Sequence, residues 1–264
     1  MRADLHVHTL ISDGLLTPLE VMGKAESAGI DVLAITDHDS LAAHTQGLPT
    51  GRTRLIVGVE FTTCHLGREH HLLGYFRGLP PASFRRAVAR VREERRERMR
   101  EACRRLTTAG IALDFDQFLA TQRSASLTSA HLARYLADQN AVSSEEEAFD
   151  LYLRGGRSVV PLPSTPMPSA TEMINCAGGI SVWAHPPLRE FDSLIDSVVS
   201  MGIQGLEAVN YWRPDADPLP FVNAAARYSL ITTGGTDFHS NTHPCPLGSR
   251  YVDESLIGAF LSRL

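Results

Sequence analysis

Histidines and carboxylates recur in this 264-residue chain at the ends of short apolar runs. In the opening stretch MRADLHVHTLISD, His6 and His8 stand two apart and Asp13 follows closely. Side chains two apart on a strand share a face, so His6 and His8 can grip one cation together. Two imidazoles and a carboxylate suit zinc, manganese or iron better than calcium, which prefers oxygen ligands throughout. Asp237 and His239, in GTDFH, repeat that spacing near the other end. Between them, DVLAIT runs into Asp37 and His38, RLIVGVE ends in Glu60, HLLGYF begins at His71 directly after His70, and GISVWA runs into His185. A charged group at the end of a buried strand has to be paired or bind a metal. His70 and His71 point to opposite faces of a strand, so only one can join a common site. Together these groups exceed what one cation needs, and a cluster of two or three divalent ions follows if the strand ends converge.

The elements that would bring them together read as alternating strands and helices. Thr17-Pro18-Leu19-Glu20 has the form of a capped helix start, with Pro18 in the first turn and Gly29 as the stop. The apolar runs 31–36, 54–60, 71–76, 179–184, 205–210 and 230–234 read as buried strands of a parallel sheet. Strand, helix, strand with polar residues at the strand ends is the pattern of a barrel or an open α/β sheet, and in a barrel the sites lie at the C-terminal face. Residues 80–156 break the alternation and read as a helical insertion that can form a lid, leaving 1–79 and 157–264 for the barrel. Within it, 85–105 is crowded with arginine and glutamate around a thin stripe of Val88, Val91, Met99 and Leu106, which reads as a solvated helix laced with ion pairs in preference to a nucleic-acid-binding face.

Length and a hydrophobic content of 43% permit a full enzyme core. No apolar run approaches the ~20 residues of a membrane span, and no secretory leader is evident, so the cytoplasm is the expected compartment. The four cysteines lack CxxC spacing, which argues against a disulfide framework or thiolate zinc site. A net charge of −5 supplies no general attraction for nucleic acid.

The combination LHVHTLISDGLLTPLEVMGKAESAGIDVLAITDHDS, GVEFTT, HHLLGYF, WAHP and GGTDFHSN with a later LG resembles the PHP (polymerase and histidinol phosphatase) superfamily. Within it, the chain is most similar to the TrpH-like branch of small-molecule and RNA-end phosphoesterases. The resemblance implies a distorted (β/α)7 barrel with a trinuclear zinc, manganese or iron site. Carried over by motif, His6, His8, Glu60 and Asp237 hold one ion. Glu60 bridges to a second, held also by His71 and His185, while Asp13, His38 and His239 hold the third. The family pattern places the ligand just before the apolar pair and Gly-Tyr, which selects His71 over His70. Glu60 and Asp37 are then the candidate catalytic residues, Asp37 as a partner behind the ligands. The implied chemistry is in-line attack on phosphorus by a metal-bridging hydroxide without a covalent intermediate, and no GxSxG elbow or Walker loop competes with it.

One departure concerns the substrate. TrpH-like members carry Gly-Arg-Pro-His in the insertion, whereas this chain has Thr128-Ser129-Ala130-His131. The histidine remains, but the bidentate grip of the arginine is lost. Arg123 and Arg157 are the candidates to replace it, and with His131 and Ser129 they form the expected substrate-binding set. His44, His65 and His243 have no motif support. The implied substrate is a nucleotide or other small phosphorylated metabolite, such as a nucleoside 3',5'-bisphosphate or an RNA 5' end. Alternatives are a pathway-specific phosphatase of a specialised metabolite and a metal-dependent amidohydrolase. The amidohydrolase would need a bridging lysine, and Lys24, the only one, lies in the first helix. Neither a membrane nor a protein partner is indicated.

Overall fold

The capping box at 17–20 forms as expected: Glu20 N–H donates to Thr17 Oγ1 at 3.3 Å, and Glu20 Oε2 accepts the Thr17 N–H at 2.8 Å. It starts α1 (Pro18–Ser27), which follows β1 (Arg2–Val7) and precedes β2 (Val32–Ile35). The computed structural model describes residues 1–49, 51–210, 218–241, 245–249 and 251–264. The chain continues through β3 (Arg54–His65), β4 (Arg68–Phe76), α2 (Ala82–Thr108), α3 (Phe115–Thr121), α4 (Ser129–Asp138), α5 (Glu145–Ala148) and α6 (Met167–Cys176). It then forms β5 (Ile180–Trp183), α7 (Phe191–Ser200), β6 (Gly205–Val209), α8 (Leu219–Arg227), β7 (Ile231–Gly234), β8 (Val252–Asp253) and α9 (Glu254–Arg263).

The strands form one sheet in the order β7-β6-β5-β4-β3-β2-β1-β8. Seven follow the chain, and β8 adds two residues antiparallel to the start of β1. The ends of the row meet: the His8 N–H donates to Phe238 O at 2.9 Å, and Val7 bridges to Phe238 in parallel, so the sheet is nearly closed. Asp4 pins this seam from inside by accepting the Thr236 N–H and hydroxyl at 2.9 and 2.7 Å. The close approach requires glycine at 235, where a Cβ would lie 2.4 Å from His6 N.

One strand departs from a wholly parallel reading. β4 runs antiparallel to both β3 and β5. The cause is a hairpin in which Leu66 and Gly67 both take left-handed φ, +49° and +70°, the twist that a two-residue connection needs. β3 therefore extends past Glu60, where the apolar run stops, to His65.

The helix α2 also differs from expectation. Its outer face carries the predicted ion pairs, including Arg104 with Glu101 at 2.7 Å and Arg105 with Glu101 at 2.9 Å. Its inner face is wider than the predicted stripe and includes Phe84, Ala87, Ala102 and Cys103. Arg95 and Arg98 lie in that face, 4% and 7% exposed, so they are not solvated as the arginine-rich composition suggested. Phe84, Val88 and Val91 pack with the barrel helices, whereas Met99, Cys103 and Leu106 pack with Phe118, Leu132, Leu136 and Ala148 of α3 to α5. Among the described residues, no helix is long and apolar enough to cross a membrane.

Candidate metal centre

The strand ends deliver six imidazoles and three carboxylates to the mouth of the sheet. His6 and His8 come from the end of β1 and just beyond, Asp13 from the following turn and His38 from the segment after β2. Glu60 comes from β3, His71 from β4, His185 from the end of β5, and Asp237 and His239 from the segment after β7. All nine fall into overlapping groups whose ligand atoms lie within 4.8 Å of one another: His6, His8 and Glu60; His6, His185 and Asp237; His38, Glu60 and His71; and His8, Asp13, His38 and His239. His70 turns the other way, its ring 6.0 Å from that of Trp183, and burial lowers its pKa to about 4.

Glu60 is the hub. Its Oε1 is 2.9 Å from both His71 Nδ1 and His185 Nε2, while Oε2 is 2.9 Å from His38 Nδ1 and 3.2 Å from His8 Nε2. Asp237 Oδ1 lies 3.3 Å from His6 Nε2 and 3.1 Å from His8 Nε2. Asp13 faces His239 Nε2 at 3.4 Å and His38 Nε2 at 3.6 Å. These contacts link the groups more closely than the resemblance implied, where Glu60 alone bridges two of the sets: His8 also joins Asp13, and His185 also joins His6.

The donor set fits divalent cations. Glu207 lies 2.9 Å from His6 Nδ1 and turns His6 Nε2 inward, 3.1 Å from His8 Nε2. Two such nitrogens repel unless a proton or cation stands between them. His38 Nδ1 and Glu60 Oε2 are buried without a completed hydrogen bond, another arrangement that a cation satisfies. Protons occupy these sites when ions do not. Burial pushes the His8 pKa down, but the Asp237 and Glu60 carboxylates, 3.1 and 3.2 Å from its Nε2, outweigh it and hold His8 at about 10. His71 is also held at about 10, burial being outweighed by Glu60 and Glu69. Burial opposes ionisation of Asp13, Glu60 and Asp237, yet the surrounding imidazoles hold all three well below the usual carboxylate range.

Backbone strain gathers here too. His185, Asp237 and Asp39, beside His38, have φ of +27°, +50° and +46°. Non-glycine residues in that region cost about 1–3 kcal/mol each and persist where surrounding contacts over-determine them. Glu207 supplies one such contact, accepting the His185 N–H at 2.6 Å.

Asp37 lies behind the cluster. Its carboxylate accepts the Thr9 N–H at 2.7 Å and the Thr9 and Ser12 hydroxyls at 2.8 Å, fixing the turn that carries Asp13. The buried Glu207, Asp4 and Asp39, and the more exposed Glu69, are carboxylates that sequence reasoning passed over. Asp4 shares a face with His6 and His8 by two-residue spacing, and Glu207 interrupts the apolar run GLEAVN; both patterns were readable signals. Burial raises the Asp4 pKa to about 6, against the lowering effect of its hydrogen bonds from Thr236 and Gly248.

His131 and Arg123 come together in a cavity of about 240 Å³ with Gly14, Arg134 and Tyr135. His131 Nδ1 accepts the Thr128 N–H at 3.0 Å, and burial lowers its pKa to about 4, so the ring is a neutral Nε2–H donor. Ser129 begins α4 beside it, half-buried. Arg157 lies exposed in a short turn, while Arg154, which sequence reasoning did not single out, lines a second cavity with Arg68, His71 and His185. His44 is tied to the Ile35 and Gly58 carbonyls, and His243 is outside the described residues.

A barrel mouth built this way, with imidazoles and carboxylates around one bridging glutamate, defines a metal-dependent hydrolase. The chain belongs to the PHP domain family, whose model matches residues 4–151, more than half of its length. It is a metal-dependent phosphoesterase. It is 31% identical over 251 residues to a 5'-3' exoribonuclease of Haemophilus influenzae, covering 92% of this chain and 90% of that one. It is 32% identical over 254 residues to a 3',5'-nucleoside bisphosphate phosphatase of Chromobacterium violaceum, covering 90% and 87%. A solved structure described as an amidohydrolase of C. violaceum, with bound sulfate and no metal, matches with a TM-score of 0.82 at 30% identity, covering 100% of this chain and 97% of that one.

Proposed function

We propose that the chain removes phosphate from a nucleotide, either a nucleoside 3',5'-bisphosphate or the 5' end of a short RNA, using two to three manganese, zinc or iron ions. The holding residues are His6, His8, Asp13, His38, Glu60, His71, His185, Asp237 and His239. The observation that carries this reading is their convergence around Glu60, whose two oxygens face different members of the cluster. When bound, divalent ions neutralise the oxygens of a phosphoester and supply an acidified water as nucleophile. The protein's part is to hold ligand lone pairs inward: Glu207 fixes His6, and the Asp237 carbonyl takes the His239 Nδ1–H at 2.6 Å.

Residues 80–156 act as the lid and substrate-binding part over a barrel of 1–79 and 157–264, working in the cytoplasm. His131 presents a neutral donor to the phosphate, and Arg123 supplies charge from the same cavity in place of the arginine absent before His131. Ser129 and Arg157 complete the candidate set. The activities named for the H. influenzae and C. violaceum relatives support a nucleotide or RNA substrate. A lysine-bridged amidohydrolase site has no support: Lys24 is exposed in α1.

The test is phosphate release from adenosine 3',5'-bisphosphate by the manganese-reconstituted protein, with Asp237→Ala as control. Release by the wild type alone is expected. Absence of release from folded, metal-loaded protein would overturn the nucleotide assignment.

A further inference from the structure

The inner face of α2 places arginine where a core residue belongs. Phe84, Val88, Val91, Arg95, Arg98 and Ala102 follow one another at alternating spacings of four and three, a single buried stripe. A buried guanidinium is costly unless well paired, and a leucine would fill the same position without that requirement. The partners of these two arginines lead to the metal centre. Arg98 Nε donates to Pro161 O at 2.6 Å, and its Nη2 donates to Glu69 Oε2. Glu69 Oε1 takes the Nε2–H of His71 at 3.2 Å. Arg95 Nε donates to Asp39 Oδ2 at 2.8 Å, and Asp39, directly after His38, donates its N–H to Glu60 O at 2.9 Å.

The His71 contact has a geometric consequence. His71 meets Glu60 and His185 through Nδ1, at 2.9 and 3.3 Å, so with an ion held at Nδ1 the remaining proton belongs on Nε2, which points outward to Glu69. A ring flip would present the other nitrogen. Glu69 opposes that flip, but its own side chain is 34% exposed and belongs to a rotamer-rich residue. Arg98, held at Pro161 as well, removes this freedom by gripping the second carboxylate oxygen.

We infer that Arg98 is a positioning residue that acts through Glu69 to fix the tautomer and orientation of His71 toward Glu60 and His185. The helix that supports the lid thereby also sets one wall of the metal centre. This rests on the reading of His71 as a ligand.

Cobalt(II) binding followed by visible absorption tests the inference in wild type, Glu69→Gln, Arg98→Met, the double variant and His71→Ala. Loss of an outer partner of a ligating histidine lowers metal affinity about 10–100-fold, and that drop is expected in both single variants. The double variant should be no weaker than Glu69→Gln alone, because both changes break one chain of contacts. Arg98→Lys should recover part of the loss. Glu69→Gln, nearly isosteric, keeps the test decisive if Arg98→Met folds poorly. A lower melting temperature with unchanged cobalt affinity and spectrum in the single variants would overturn the inference, as would additive losses in the double variant. Unchanged cobalt binding in His71→Ala would overturn the ligand reading and this inference with it; loss in His71→Ala alone would overturn only the role of Glu69 and Arg98.

Discussion

Replacing Glu207 by Gln isolates how much the metal centre depends on residues behind its ligands. Glu207 is fully buried and uses its oxygens on two donors, the His6 Nδ1–H at 2.9 Å and the His185 N–H at 2.6 Å. A glutamine side chain keeps one acceptor and turns an NH2 group toward the other donor. One buried donor is then unmatched, which costs about 1–3 kcal/mol. At about 1.4 kcal/mol per tenfold, and with the cost expressed in ligand orientation, manganese binding weakens about 5- to 150-fold. His185 is the more sensitive partner, since its φ of +27° needs a strong backbone contact to persist. Competition against a chromophoric chelator, with folding checked by circular dichroism, measures the effect. Manganese affinity equal to that of the wild type in a folded Glu207→Gln protein would refute the reasoning that outer carboxylates set this centre.

Metal loading near neutral pH should release about three protons per chain, from His8 and His71, each held at about 10 in the metal-free protein, and from His6, whose charging burial disfavours but which Asp237, Glu207 and Glu60 hold well above its ordinary value; calorimetry in buffers of different ionisation enthalpy would detect a release near zero instead. Because these values are raised in the fold from an ordinary 6.5, their contribution to stability is complete below pH 6.5 and disappears as pH rises toward 10. Thermal melts of chelator-treated protein should therefore fall across that window, and the stabilisation by added manganese should grow across it; the opposite trends would contradict the proton-for-metal exchange. Gly235→Ala should lower both stability and metal content, since its Cβ would meet His6 N at 2.4 Å and His6 Cβ at 2.7 Å; a variant with normal melting and metal content would show that the seam between β1 and β7 yields more easily than its packing implies.

The candidate ligands were legible because most of them follow or open a short apolar run, and buried strand ends tolerate imidazole and carboxylate only for a reason. The capping box before α1 was legible for a similar reason, since its two hydrogen bonds are local. The β3–β4 hairpin was not, because Leu66-Gly67 is a weaker turn signal than Asn-Gly, and β3 continues through Phe61, Thr62 and Thr63 with no apolar alternation to mark it. Arg95 and Arg98 were hidden among neighbouring arginines that are solvated; only the tertiary partners Asp39 and Glu69 distinguish them. Arg154 shows the same limit, since its place beside His71 and His185 depends on how the helices fold over the mouth.

Anomalous diffraction from crystals grown with manganese tests the central claim most directly. The account predicts anomalous peaks within bonding distance of Glu60, one on the side of each carboxylate oxygen, with His71 and His185 around one and the His6, His8 and Asp237 group beside the other. Full manganese loading in solution with no peak at Glu60 would contradict it.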